Sequence, residues 1–295
     1  MSPAWYRFPA PVVFKVSGKD SRRYLNNRLS HDLRTCPPGS ALVAGALTPQ
    51  GKVEGLFTVY VESDEEFYLV CDGGERQPLF AALGRYIVAD RVSILDCSGE
   101  AIVGHTTSIP AEINSEALGS KIFIAPRPGI GPSGSDFLII PSNQATVEGL
   151  IAAHLGASIS QTEYDLRRFS QNCPAFPSEV NSNIVLTEAG LREAVSFTKG
   201  CYVGQEVIER SDAIGKLPRH LERIVFDGLL AIATDNSILD IESKPIGKVV
   251  SMYHDAERSK TKAFALLKTG YYSHHDRVEC NGVSGTIVAT AERAV

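Results

Sequence analysis

The stretch Lys199-Gly200-Cys201-Tyr202-Val203-Gly204-Gln205-Glu206 decides how the whole chain is interpreted. Two glycines flank Cys201, and glycine permits backbone shapes and close ligand approaches that other residues resist. Lys199 precedes the thiol by two residues. An ammonium group turned toward the sulfur would favour the thiolate, which is the nucleophilic and metal-binding form of cysteine. The residues alone leave two interpretations: a reactive-thiol site, or a tight buried corner in which Lys199 pairs with Glu206 on the surface.

The residues after the cysteine add two features that suit a ligand site. Tyr202 offers a flat ring and a hydroxyl, which can contact a heteroaromatic ligand. The sequence Gly204-Gln205-Glu206 is typical of the start of a helix, where the first-turn amides and the helix dipole favour a nearby anion.

Outward from this stretch, the chain divides into regions of different character. Residues 1–210 read as alternating strands and helices, and they predict an α+β region of two sub-domains in which residues 97–135 are rich in loops. Residues 211–219 contain Gly215 and Pro218 and predict a linker. Residues 220–295 hold short, regularly spaced β runs with turn residues, which predict a small antiparallel β-barrel.

Several elements of the first region are readable from their patterns. Residues 56–62 and 67–71 are β-type runs joined by an acidic turn, and they predict an antiparallel hairpin. Apolar residues at helical spacing predict a helix over residues 79–88. A second helix is predicted over residues 144–155, before a stop at Gly156, and residues 163–169 are a further helix candidate.

Composition argues against several classes of protein. The chain has 295 residues, of which 43% are hydrophobic and 21% charged, as in an ordinary globular protein. The net charge of −5 argues against a general nucleic-acid binder, because binding to phosphate requires a basic surface. Six scattered cysteines form no CxxC pair, so neither a disulfide scaffold nor a structural zinc site is expected. No run reaches the roughly 20 apolar residues of a membrane helix, and no membrane partner is expected.

Four motifs together resemble one known family. Residues 199–206 match its K-G-C-[FY]-x-G-Q-E signature, and residues 16–33 resemble its V-x-G-x-D-x-x-x-[FY]-L…[ST]-x-D-[VL] opening. Residues 47–52 resemble its L-x-P-x-G-[KR] turn, and residues 247–251 its G-x-[VI]-x-S strand. The chain is thus similar to the YgfZ-type folate-binding family, relatives of the glycine-cleavage T-protein that include mitochondrial iron–sulfur assembly proteins.

The resemblance implies a fold and a function. The fold is α+β, a T-protein (aminomethyltransferase)-like folate-binding fold with antiparallel sheets and helices around a central cavity, plus a C-terminal β-barrel. The implied function is to support the assembly or maintenance of [4Fe–4S] proteins, and thereby to affect tRNA modification indirectly. The implied partners are iron–sulfur client or assembly proteins. The implied location is the cytoplasm of a bacterium or the mitochondrial matrix of a eukaryote.

The resemblance also assigns site residues. Cys201 is the catalytic residue and a candidate transient iron–sulfur ligand, the cofactor is tetrahydrofolate, and no stable metal is expected. The residues implied in folate binding are Lys199, Gly200, Tyr202, Gly204, Gln205, Glu206 and Asp32. Arg210 is added, and Lys199 is given a charge role, because they are the basic residues nearest to the motif and the glutamate tail of folate is negative.

The sequence departs from the related aminomethyltransferases at two places and from the YgfZ pattern at a third, so the resemblance leaves open whether the chain is an enzyme. After Gly51, the expected acidic pair is reduced to Glu54. Phe169 and Ser170 replace the R-x-E pattern, and Gln171-Asn172-Cys173-Pro174 departs from the A-G-x-P of the YgfZ type.

Two alternative functions stay open. One is a folate-dependent one-carbon (aminomethyl- or methyl-) transferase, which would need a carboxylate or another base beside the folate nitrogen. The other is a factor that binds tRNA directly. Its candidate contacts are the basic and aromatic clusters Arg22-Arg23-Tyr24 and Lys216-Leu217-Pro218-Arg219-His220.

Overall fold

A computed structural model of the chain describes residues 4–127, 129, 133–214, 217–231 and 236–288. Within them, fifteen strands and six α-helices follow one another. They are β1 (Trp5–Arg7), β2 (Val12–Ser17), α1 (Ser21–Arg28), β3 (Ala41–Leu47), β4 (Val53–Val61), β5 (Glu66–Cys71), α2 (Arg76–Gly84), β6 (Ser93–Asp96), β7 (Ile102–Thr106), α3 (Ser115–Leu118), β8 (Lys121–Pro126), β9 (Ser135–Ile140), α4 (Gln144–Leu155), α5 (Gln161–Ser170), α6 (Gln205–Ile214), β10 (Arg219–Phe226), β11 (Ser237–Leu239), β12 (Pro245–Asp255), β13 (Lys260–Lys268), β14 (Arg277–Cys280) and β15 (Val283–Val288).

A five-stranded antiparallel sheet in the order β3-β4-β5-β2-β6 forms the first layer. The predicted hairpin is confirmed, because β4 and β5 pair with Val59 opposite Leu69. Helices α1 and α2 cover one face of this sheet, where Leu25 and Leu83 join Phe57 in a fully buried core. At the end of α1, Arg28 donates a hydrogen bond to the Leu47 carbonyl at 2.9 Å, which holds α1 next to the turn after β3.

A second sheet, in the order β1-β7-β9-β8, packs on the other face of the first. Tyr68 and Val70 of β5 meet Tyr6 and Leu138 there in a shared core. Residues 97–135, which were predicted to be rich in loops, contain the strands β7 and β8 and the short helix α3. Strand β7 is buried along its whole length, so it lacks the alternation of apolar and polar residues that identifies a strand with one wet face.

The C-terminal strands close into a six-stranded barrel in the order β10-β13-β12-β11-β14-β15, which confirms the predicted barrel. Strands β10 and β13 pair along their length, with Ile224 opposite Ala263, and both side chains lie in the barrel core. Helix α6 extends past residue 210 into the segment predicted as a linker. Gly215 and Lys216 of that segment lie outside the described residues, as does the end of the chain from residue 289.

Helix α5 fastens the barrel to the rest of the molecule through Arg168. This guanidinium is 2% exposed and donates to Glu179 at 2.7 Å, to Asp165 at 3.0 Å and to the Tyr253 hydroxyl of β12 at 2.5 Å. Glu179 is fully buried, so it depends on Arg168 for charge compensation. The guanidinium of Arg168 is thus one buried contact between α5 and the barrel, and Arg223 of β10 adds another by donating to the Phe169 carbonyl at 2.9 Å.

We expect Arg168→Met to lower the free energy of unfolding by about 3–5 kcal/mol, because it leaves the Glu179 carboxylate buried without its partner. The matched control is Arg167→Met on the same helix, where a half-exposed pair with Glu163 is removed. That change should cost at most about 0.5 kcal/mol. Urea unfolding measures both, and equal losses for the two variants would contradict this account.

Candidate functional site

The turn of residues 47–52 and the segment that carries Cys201 touch through their backbones. Gly204 has φ of +85°, and a Cβ there would lie 2.6 Å from the Thr48 carbonyl oxygen. Gly51 has φ of +72°, and its Cβ would lie 2.9 Å from the Cβ of Val207. Both positions need glycine, because other residues would be strained there and would collide with their neighbours. Two of the sequence motifs are therefore two halves of one contact.

The ammonium group of Lys199 binds backbone oxygens at the end of α1. Lys199 is 5% exposed, and its Nζ donates to the carbonyls of Leu29 and His31, each at 2.8 Å, and to the carbonyl of Asn26. The group also lies 5.0 Å from the centre of the Tyr202 ring. Neither predicted arrangement of Lys199 is found, since the ammonium is directed at carbonyls instead of the sulfur or Glu206.

Backbone hydrogen bonds attach the chain to the same part of α1 on both sides of the cysteine. Before it, the Ser196 amide donates to the Ser30 carbonyl at 2.9 Å, and the Ser30 hydroxyl donates to the Ala194 carbonyl. After it, the Val203 amide donates to the Asn27 carbonyl at 3.3 Å. We call residues 194–204 the anchored loop. Cys201 lies within it and is exposed.

Burial and two nearby charges determine the pKa of Lys199. Burial lowers the pKa of Lys199 to about 8, with Asp32 opposing the shift and Arg34 adding to it. The ammonium form still predominates at neutral pH, since the pKa remains above 7. Hydrogen bonds from Arg34 lower the pKa of Asp32 to about 2, and burial lowers the pKa of His31. At neutral pH this part of the site therefore holds the Lys199 ammonium and the Asp32 carboxylate in their charged forms.

The other motif residues make contacts of their own. Tyr202 is buried in the core, and burial raises its pKa to about 12. The Gln205 side chain accepts a hydrogen bond from the Tyr202 amide at 3.2 Å as α6 begins, so the predicted helix start is confirmed. Glu206 pairs with Arg210 at 3.2 Å on the exposed face of α6. A Cβ on Gly200 would meet no atom of the described chain within 4 Å.

The structure shows the surroundings of the positions where the sequence departs from its relatives. Glu54 is bridged by Arg28 and Arg85, each at 2.8 Å, and Arg28 is buried. Ser170 is exposed and Phe169 is buried. Asn172 has φ of +52°, which is a backbone shape that asparagine tolerates better than most residues. Asparagine therefore adopts here the left-handed shape that glycine most readily takes.

The basic cluster Arg22-Arg23-Tyr24 is held by internal contacts. Arg22 donates to the carbonyls of Leu33 and Cys36 and pairs with Asp64. Arg23 pairs with Asp90 at 2.8 Å. Of the second basic cluster, Lys216 lies outside the described residues, and Arg219 pairs with Glu188 at 2.9 Å.

A chain of buried and partly buried ionisable side chains, which was not predicted from the sequence, lies where the two sheets and α5 meet. His105 Nδ1 is 2.6 Å from Asp136, and Arg127 bridges Asp136 at 3.0 Å and Asp72 at 2.9 Å. We call these four residues the junction cluster. Asp72 and Arg127 are 13% and 15% exposed at their side chains, so the cluster is partly accessible. A polar residue inside an otherwise buried strand, such as His105 in β7, is the sequence signal that could have indicated it.

Three tyrosines surround the junction cluster. Tyr6 and Tyr164 stack with ring centres 4.0 Å apart. The hydroxyl of Tyr60 is fully buried and makes no hydrogen bond within the described residues. Burial raises the pKa of Asp72, against the opposing charge of Arg127. Burial acts in the same direction on Asp136, but Arg127 and His105 outweigh it and lower its pKa.

In the part of the chain that the structure describes, no three His, Cys, Asp or Glu side chains are grouped to hold a metal ion. In the same residues, no helix combines the length and the apolar character needed to cross a membrane.

Comparison with solved structures identifies the fold. The glycine cleavage system aminomethyltransferase T of Bartonella henselae superimposes with a TM-score of 0.81 over 98% of this chain and 85% of its own, at 13% identity. This similarity confirms the predicted T-protein-like fold. No family model matches the chain.

Comparison with curated proteins finds distant relatives. The tRNA-modifying protein YgfZ of Colwellia psychrerythraea is 25% identical over 71% of the chain and 67% of its own length. The mitochondrial iron–sulfur cluster assembly factor IBA57 homologue of Mycosarcoma maydis is 25% identical over 75% of the chain and 56% of its own length. The chain therefore spans little more than half the length of this second relative.

We expect Gly204→Ala to destabilise the protein by about 1–3 kcal/mol through backbone strain, with the close approach to Thr48 adding to the loss. The control is Gly200→Ala in the same motif, where φ is not in the left-handed region and a Cβ has open space. It should change stability by less than about 1 kcal/mol. Thermal unfolding of the two variants compares them, and a tolerated alanine at residue 204 would show that the two turns are not in contact.

Proposed function

We propose, from the premise that this chain is a YgfZ-type relative of the aminomethyltransferases, that it binds tetrahydrofolate and supports [4Fe–4S] proteins through the thiol of Cys201. The iron–sulfur proteins are its clients or assembly partners, and its effect on tRNA modification is indirect. It acts in the cytoplasm if the source is a bacterium and in the mitochondrial matrix if it is a eukaryote.

The observation that carries the proposal is the exposure of Cys201 in a loop held on both sides. A thiol that is to attack a partner or to bind its metal must be reachable, and its position must be defined. One thiolate cannot hold a cluster alone, because clusters are normally bound by about four protein ligands. Cys201 would therefore act as a nucleophile, as a redox thiol or as one ligand shared with a partner.

The junction cluster fits the chemistry of a pterin ring better than the anchored loop does. The pterin edge presents both donors and acceptors, which a carboxylate and a guanidinium can match. Asp72 and Arg127 supply these groups, and their side chains are 13% and 15% exposed. Tetrahydrofolate, when bound, would supply a reduced carrier of one-carbon units.

The anchored loop has a different part in this proposal. The Lys199 ammonium is bonded to three carbonyls and a side chain at Gly204 would collide with Thr48, so we assign these two residues to shaping the loop. Tyr202, whose hydroxyl makes no hydrogen bond within the described residues, remains a candidate for folate contact. Arg210 is exposed and is our candidate for the negatively charged glutamate tail of the folate. The other residues proposed to contact folate, Gly200, Gln205, Glu206 and Asp32, remain candidates at the rim.

Neither alternative function gains support from the structure. A one-carbon transferase would need a base such as the Glu54 carboxylate, but this carboxylate forms salt bridges with Arg28 and Arg85. The described arginines considered for tRNA binding are paired with carboxylates, and Arg22 also donates to carbonyls.

Asp72→Asn should weaken tetrahydrofolate binding by about tenfold or more, since it replaces a charge-assisted hydrogen bond by a neutral one. Isothermal titration under anaerobic conditions measures the affinity. Two controls should bind like the wild type: Cys201→Ser, and Asp64→Asn, which alters a carboxylate on the surface. Unchanged affinity in folded Asp72→Asn would remove the junction cluster from the folate site, and a wild type that does not bind would overturn the folate proposal.

Cys201→Ser should leave the fold intact and abolish function in cells. The assay is the activity of a [4Fe–4S] enzyme in a strain that lacks its own copy of the protein. Cys36→Ser, at a half-buried thiol, serves as the matched control and should restore activity. Full restoration by Cys201→Ser would exclude the thiol from the mechanism.

A further inference from the structure

We propose that Lys199 is a positioning residue for Cys201: it fixes the anchored loop by capping the C-terminal end of α1, and it does not act on the sulfur. The inference rests on the proposed role of Cys201 and specifies how that thiol is presented.

The hydrogen-bonding capacity of Lys199 is fully used. An ammonium group has three N–H donors and no acceptor. Three carbonyl oxygens accept from Nζ, those of Asn26, Leu29 and His31. No donor is left over for a thiolate, so an effect of Lys199 on Cys201 must act through the shape of the loop.

The three carbonyls lie in the last turn of α1 and in the residues just after it. The last four carbonyls of an α-helix have no acceptor role within the helix, and the helix dipole makes this end negative. Asn26 and Asn27 lie in the last turn of α1, and Leu29 is its C-cap residue. The Asn27 carbonyl accepts from the Val203 amide. The anchored loop therefore completes the end of α1, and α1 in turn holds the loop.

The geometry of the group is specific to lysine. An ammonium is compact and directs three donors along separate axes, whereas a guanidinium is planar and presents its donors as a fork. Arginine at residue 199 would keep the charge but could not reproduce three bonds to oxygens in this arrangement. A role in which charge alone acts on the sulfur would be preserved by arginine, and a positioning role would be lost.

The experiment compares Lys199→Met and Lys199→Arg with the wild type by two measurements. Hydrogen exchange reports the opening of the loop at the Val203 amide. The pH dependence of the alkylation of Cys201 by iodoacetamide, followed by mass spectrometry, reports the ionisation of the thiol. Lys262→Met is the matched control, because Lys262 is also well buried but pairs with Asp255 in the barrel.

We expect both Lys199 variants to exchange the Val203 amide about tenfold faster or more. The midpoint of the alkylation profile should stay where it is in the wild type. Lys262→Met should change neither quantity. An upward shift of the midpoint in Lys199→Met that Lys199→Arg restores, or exchange at Val203 that stays at the wild-type rate in both variants, would overturn the proposal.

A measurement on the wild type alone covers the case in which a variant does not fold. Acetic anhydride should modify Lys199 much more slowly than the exposed Lys244, because the amine is buried and bonded. Equal rates at the two lysines would also overturn the proposal. None of these measurements uses folate or a client protein, so their outcome is separate from that of the folate and complementation experiments.

Discussion

A buried ammonium group needs hydrogen-bond acceptors, and the arrangement of the candidate site depends on meeting this need for Lys199. Lys199 lies out of water, where an unpaired charge is unfavourable by several kcal/mol or more in an order-of-magnitude estimate. Its partners are the carbonyls of Asn26, Leu29 and His31, of which that of Asn26 is among the carbonyls that the end of α1 leaves without an acceptor role. Each side satisfies the other. The result is a surface cysteine whose backbone is held although its thiol is exposed.

The neighbouring contacts extend this arrangement through the molecule. Close approach of Gly204 to Thr48 places the loop against the turn after β3, and Arg28 at the end of α1 donates to the Leu47 carbonyl at 2.9 Å. The turn, the helix end and the loop therefore form one unit. The junction cluster lies apart from this unit, between the two sheets and α5. In our proposal, the ring of the folate and the reactive thiol are held by separate parts of the same fold.

The sequence predicted those features that depend on local patterns. The barrel, the hairpin of β4 and β5 and the start of α6 follow from alternation and turn chemistry within a few residues of each other. The direction of Lys199 was not predictable in this way, because its acceptors are 168 to 173 residues away in the chain. Strand β7 was missed because it is buried throughout, and with it the cluster formed by His105. The motif thus predicted a set of site residues, and only the folded chain shows what Lys199 touches.

The most direct test of this account is the relative reactivity of the six thiols in the native protein. Brief treatment with iodoacetamide at neutral pH, followed by peptide mass spectrometry, gives a rate for each cysteine. The account predicts that Cys201 reacts about 100-fold faster or more than Cys71 and Cys280, which are fully buried and react only after the structure opens. A Cys201 that reacts only as slowly as those two residues would contradict it, since the thiol would then be closed off inside the fold.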